Sequence, residues 1–165
     1  MCIRDRRESS RRVLDVIGNS LAARDLPAAE VVKKIVEAWG GSPDALAIGS
    51  IKMPAASAAL LNGTLAHSLD FDDTHLPSVL HPSASVVSAA LAVASKLQSK
   101  PTDLLDAITV GIEVTCRLGM AGFDRELGNS VFFERGFHAT SICGTLGAAT
   151  ASAMLMKLSP EEITS

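Results

Sequence analysis

The chain has no tyrosine and only 4% aromatic residues, so it is poorly supplied for an aromatic cage around an organic cation. It has no excess of positive charge either. Fifteen basic residues against 18 acidic ones leave a net charge of −3, and no basic stripe interleaved with aromatics runs along it, which argues against nucleic acid as a partner. Its three cysteines, Cys2, Cys116 and Cys143, are widely spaced with no CxxC, which excludes a disulfide framework and a thiolate zinc site. They read as reduced thiols of a cytoplasmic protein, with Cys116 and Cys143 as small core residues. The opening "MCIRDRRESSRR" has no apolar run of the kind a secretory signal needs, and Asp5 and Glu8 tell against a transit peptide. Residues 1–12 are expected to be a disordered or non-native tail. Also missing are a serine elbow, a phosphate loop and a dinucleotide fingerprint. What remains is acid–base chemistry without an evident cofactor.

What is present is helical periodicity. A 47% hydrophobic content over 165 residues excludes disorder and suffices for one core. Val13, Ile17 and Leu21 form one stripe; Val31, Ile35 and Trp39 form another, opened by Pro27 and closed by Gly40 and Gly41. Further helices are expected over 54–69, 83–97, 103–118 (stripe Leu104, Ile108, Ile112, Cys116) and 139–158, with "DALAIGS" a strand or linker. The class is all-α, with residues 13–165 forming part of a helical domain. Three segments, 53–69, 74–95 and 136–156, carry almost no charge. They are too rich in Ala, Ser, Thr and Gly for membrane spans, and read as central helices covered on all sides. At the end, "LSPEEITS" offers Ser159, Pro160 and Glu162 as a capping box, so a helix starts just before the last residue and the chain is expected to be truncated.

Ionisable chemistry concentrates in "LDFDDTHLPSVLHPS", residues 69–83. If the preceding helix continues through it, Asp70, Asp73 and Thr74 share a face and Asp72 points elsewhere. The bland alternative is a solvated, capped helix end. A magnesium motif of the DDxxD kind lacks its last acid, "DFDD" alone is a weak match to a cyclase acid, and an EF-hand lacks its glycine and glutamate, so no metal is expected. His81 precedes Pro82 and would stand at a helix N-terminus; His138, in "ERGFHATS", repeats the arrangement. Each is either a proton-transfer group or a simple cap. His67 falls on a face with Ala and Leu and reads as a core histidine, while Asp72, Asp73 and His75 read as caps or supporting groups.

Three separated stretches, "LLNGTLAHSLDFDDTHLPSVLHPSASVVSAALAVA", "LLDAITVGIEVTCRLGMA" and "GFHATSICGTLGAATASAMLMKLSPEE", resemble the MmgE/PrpD family in order and spacing, from about residue 13 onward. The resemblance implies a metal- and cofactor-independent lyase acting on small di- or tricarboxylates, usually a homodimer, with an N-terminal helical domain followed by an α+β lid. By position it implies catalytic roles for Asp70, His81 and His138 and substrate binding by Thr74, with a further lysine expected beyond Ser165. The leading expectation is a 2-methylcitrate dehydratase-like hydro-lyase. Alternatives are a cis-aconitate-type decarboxylase or an epimerase of the same family, or a non-catalytic helical dimerisation module. Two departures stand out: Ala139 replaces the family's proline after the second histidine, and the spacer "HLPSVL" differs in length from the decarboxylase pattern.

Overall fold

The computed structural model describes residues 3–164, so Cys2 and its expected free thiol lie outside the described residues. Among the described residues the chain is all-α apart from two small hairpins. The order is α1 (Ile3–Ala23), α2 (Pro27–Trp39), β1 (Ala45–Leu46), β2 (Lys52–Met53), α3 (Ala55–His67), a 3₁₀ turn (Leu76–Ser78), α4 (Pro82–Leu97), α5 (Pro101–Ala121), β3 (Phe123–Asp124), β4 (Asn129–Ser130), α6 (Val131–Glu134), α7 (Ala139–Leu155) and α8 (Pro160–Thr164). Strands β1 and β2 pair antiparallel, Ala45 opposite Met53, and β3 pairs with β4, Phe123 opposite Ser130. Proline at the first helical position starts α2, α4 and α5, where its missing N–H costs nothing. Gly40 ends α2 at φ +62°, and Gln98 ends α4 in the left-handed region. The capping box forms: Glu162 N–H donates to Ser159 Oγ at 3.3 Å and Ser159 N–H to Glu162 Oε2 at 2.8 Å.

Helix α4 is the centre. Val86, Val87, Ala90 and Ala94 are buried against Ala107 and Ile108 of α5, Ala151 and Leu155 of α7, Val16 of α1 and Ala66 of α3. The backbones of α5 and α7 meet at glycines. A Cβ on Gly111 would fall 2.7 Å from Val86 Cγ1 and 2.8 Å from the Gly147 carbonyl, and one on Gly147 would fall 2.5 Å from the Gly111 carbonyl and would also strike Thr115 Oγ1. Small residues therefore replace large ones wherever these helices cross. A second core lies between α2, α3 and the first hairpin, around Ala29, Val36, Met53, Leu61 and Leu65. No helix among the described residues is long and apolar enough to cross a membrane.

Several expectations are corrected here. Residues 3–12, part of the tail expected to be disordered or non-native, are not disordered but form the opening turns of α1. Arg6 forks onto Asp106 with both bonds at 2.7 Å, Ser9 and Thr109 share a 2.6 Å hydroxyl bond, and Arg12 reaches Asp73 at 2.9 Å. The stripe Val31, Ile35 and Trp39 does not face the core: these residues are 57%, 44% and 64% exposed, and α2 buries the adjacent face of Ala29 and Val36. Close packing selected the smaller face. Helix α7 is likewise not covered on all sides, since Ile142 and Leu146 remain exposed. The α5 stripe holds, with Ile108 and Cys116 buried.

Candidate active site

Helix α3 ends at His67, earlier than the sequence suggests, so Asp70, Asp73 and Thr74 do not share a helix face. The chain turns sharply instead. Asp70 takes φ +55°, a conformation that aspartate tolerates better than most residues. The turn sends Phe71 outward and Asp72 inward, where the Asp72 side chain is fully buried.

Asp73 holds the next segment in place. Its carboxylate accepts the Ser83 backbone N–H at 3.1 Å, the Ser83 hydroxyl at 2.9 Å and Arg12 Nη1 at 2.9 Å. It thereby caps α4 from a neighbouring loop, satisfying an N–H that helix geometry leaves unpaired. Burial pushes the Asp73 carboxyl above its ordinary value, against the opposing pull of Ser83 and Arg12. Because Asp73 does the capping, His81 need not. The His81 side chain makes no cap bond, nor does that of His138 at the start of α7, so neither ring serves as a simple cap. The spacer between Thr74 and His81 folds into its own turn. His75 N–H donates to the Leu80 carbonyl at 2.9 Å, the His75 ring meets Ser78 Oγ at 2.7 Å, and Ser78 and Leu80 lie against the bare Cα of Gly119. The length of the spacer is absorbed there, and His81 still arrives at the head of α4.

These supports bring three imidazoles together. The ring centroids of His67 and His81 are 5.2 Å apart and those of His67 and His138 6.3 Å, both edge-on, with Phe133 against His138 at 5.6 Å. The two helix heads are tied directly, His81 N–H donating to the Thr140 hydroxyl at 3.1 Å. Beneath them Leu80, Ala139, Cys143, Phe132 and Phe133 form a small apolar floor.

The hydrogen bonds fix the roles of the ring nitrogens. His81 Nδ1 lies 3.2 Å from the carbonyl oxygen of Asp72, which can only accept, so Nδ1 carries the proton in the neutral ring and Nε2 is free. Nε2 points toward Asp70 Oδ1, 3.8 Å away, and the Thr74 hydroxyl lies 3.5 Å from Nδ1. His67 Nδ1 is 3.0 Å from both carboxylate oxygens of Asp72, so it donates and presents its own Nε2. Asp70, whose side chain is 80% exposed, is a flanking carboxylate. The buried orienting acid is Asp72.

All four residues singled out in the sequence, Asp70, Thr74, His81 and His138, thus lie at this one locus. Two more belong with them and were passed over. In the sequence His67 reads as core because its neighbours are Ala and Leu, and Asp72 as a cap or supporting group because an extended helix points it away from Asp70 and Thr74. The signal for both was the pair itself, a histidine and an acid five residues apart across an uncharged helix end. Asp73 and His75 are supporting groups, as expected.

The chain is 33% identical over 157 residues to cis-aconitate decarboxylase of Homo sapiens, covering 92% of this chain and 31% of that protein. It is 33% identical over 159 residues to the Mus musculus enzyme, covering 93% and 31%. Against a cis-aconitate decarboxylase-like protein of Aspergillus oryzae it is 32% identical over 159 residues, covering 91% and 32%. The chain therefore spans about a third of the length of the curated relatives it matches. A family model for the MmgE/PrpD N-terminal domain matches residues 4–165, and the chain belongs to the MmgE/PrpD family.

Proposed function

We propose that this chain supplies the histidine-bearing part of a lyase active site, and that the reaction is the decarboxylation of a small unsaturated tricarboxylate of the cis-aconitate kind. The observation that carries the reading is the meeting of His81 and His138 at His67, with His67 and His81 both facing the buried Asp72. The relatives favour decarboxylation over the dehydration of 2-methylcitrate expected from the sequence, because those matched are named for cis-aconitate. Loss of CO2 breaks a carbon–carbon bond and leaves its electron pair on carbon, conjugated with a neighbouring carboxyl group. A proton must then be delivered to that carbon, the task of a positioned imidazolium. His81 is held by the Asp72 carbonyl so that Nε2 gives or takes a proton, with Asp70 Oδ1 3.8 Å from that nitrogen. His138 at the opposite rim is the second proton-transfer group, and Thr74 offers a hydroxyl to a substrate carboxylate.

The test uses the protein encoded by the complete gene, supplied with cis-aconitate or with 2-methylcitrate. Release of CO2 from cis-aconitate with formation of an unsaturated dicarboxylate supports the reading. Dehydration of 2-methylcitrate without CO2 release would return the reaction to the hydro-lyase class. The 165-residue chain assayed alone is expected to be inactive, since a tricarboxylate needs cationic partners and Arg12, the cation held against this loop, is already engaged by Asp73.

A further inference from the structure

The same cluster has a donor set that proton transfer does not require. His67, Asp70, Asp72 and His81 each present one nitrogen or oxygen donor, and all four donors lie within 4.8 Å of one another. Donors bound to one tetrahedral zinc at 2.0–2.1 Å stand roughly 3.3 Å apart. Two separations here bracket that value, 3.0 Å from His67 Nδ1 to Asp72 and 3.8 Å from His81 Nε2 to Asp70. Drawing in the most distant pair takes a shift of less than roughly 1 Å from each group, within reach of a side chain on the exposed Asp70 turn. Sequence patterns could not show this, because the acids lie in the loop while the histidines come from the end of α3 and the head of α4.

Two further observations point to a cation. The Asp72 carboxylate is fully buried, and the partners it meets are two imidazoles, neither of them a permanent cation. Buried carboxylates are paired with charge or coordinate a metal. Second, His81 donates Nδ1–H to a backbone carbonyl, the bond that fixes ring tautomer and orientation in histidines that ligate metals through Nε2. Two imidazoles with two carboxylates suit Zn²⁺ and its transition-metal neighbours, whereas Mg²⁺ and Ca²⁺ demand oxygen. We infer that His67, Asp70, Asp72 and His81 form a binding site for a divalent transition cation such as Zn²⁺, which occupies the cluster in place of substrate. Binding stands independently of which reaction the site performs. Only its consequence rests on the lyase reading: bound Zn²⁺ takes the nitrogen lone pairs that proton transfer needs, and so inhibits.

The experiment is titration of chelator-treated protein with ZnCl₂, with MgCl₂ as the control, followed by calorimetry. Saturable binding of one Zn²⁺ with none of Mg²⁺ is expected. Affinity should fall tenfold or more in Asp72→Asn and in a His67→Gln/His81→Gln double variant, with helical circular dichroism retained. Should the buried variants unfold, Asp70→Asn on the exposed turn gives the mutational arm, with weaker binding expected. The visible spectrum of the Co²⁺ form gives an arm needing no mutation, with nitrogen–oxygen ligation expected. Zn²⁺ binding unchanged by these substitutions, equal binding of Mg²⁺, no saturable binding, or a thiolate charge-transfer band with Co²⁺ would each overturn the proposal. An active protein that ignores Zn²⁺ sinks this inference and leaves the lyase reading standing, while an inactive one that binds Zn²⁺ does the reverse.

Discussion

Helices α4 and α7 are put to opposite uses at their middles and at their heads. Midway, with α5, they form a dry seam in which Gly111 and Gly147 bring backbones together, and the Thr115 hydroxyl is satisfied within its own helix by the Gly111 carbonyl at 2.9 Å. At their N-termini His81 is held by the Asp72 carbonyl and the Thr140 hydroxyl while its ring stands 3.5 Å or more from Thr74 and Asp70, and the His138 ring lies edge-on to His67. The seam has no spare volume. The heads have spare valence. A rigid crossing is what would let two loose-looking ends be placed to within the tolerance that the proton transfer proposed for them demands.

The sharpest way to test the contrast is at the head. His81→Ala should lower turnover by about 10²–10⁴-fold with the melting temperature nearly unchanged. An equal loss of stability would place His81 with the seam instead. Next comes chemical access. Burial raises the Cys116 thiol to about 11 from 9.0 and raises Cys143 as well. In a Cys2→Ser background, Cys116 should therefore label about a hundredfold more slowly than a free thiol at mildly alkaline pH, until the protein is unfolded. Rapid labelling would show that the seam opens. Third, Gly147→Ala should cost about 1–3 kcal/mol by urea denaturation, because the added methyl meets the facing backbone. The smallest effect lies at the junction of the two regions: Asp73→Ala should remove about 1 kcal/mol, the loss of a helix cap. Its pH dependence has a definite sign. The Asp73 carboxyl is raised above 3.8 by burial, so the folded state holds that proton more tightly than the unfolded chain does. Its contribution is greatest below 3.8 and declines as pH rises through the raised value. Comparing wild type with Asp73→Asn across mildly acidic pH should isolate that decline.

Local signals fixed where several helices begin. Pro27, Pro82 and Pro101 each start a helix, and Ser159 with Glu162 caps one, because these effects act within a single turn. What reached across the chain was harder to read. Which face of α2 is buried depends on how closely α3 approaches, and the residues that permit approach are small ones that carry little hydrophobic signal. The path of residues 68–75 depends on Asp73 finding Ser83 and Arg12, contacts of sequence separation 10 and 61. The site histidines were visible as residue types beside a proline or an uncharged run. Their common address was not, since His138 joins His67 only through the α4–α7 crossing.

The arginine-rich start bears on how this domain should be handled. Arg6, Ser9 and Arg12 fasten the first turns of α1 to α5 and to Asp73. An expression boundary drawn at Val13, where the start would be trimmed as a dispensable leader, would strip Asp73 of its cation. Such trimming would act on a loop 61 residues away, and a shortened protein that loses activity would be reporting a missing guy-rope rather than a missing catalyst.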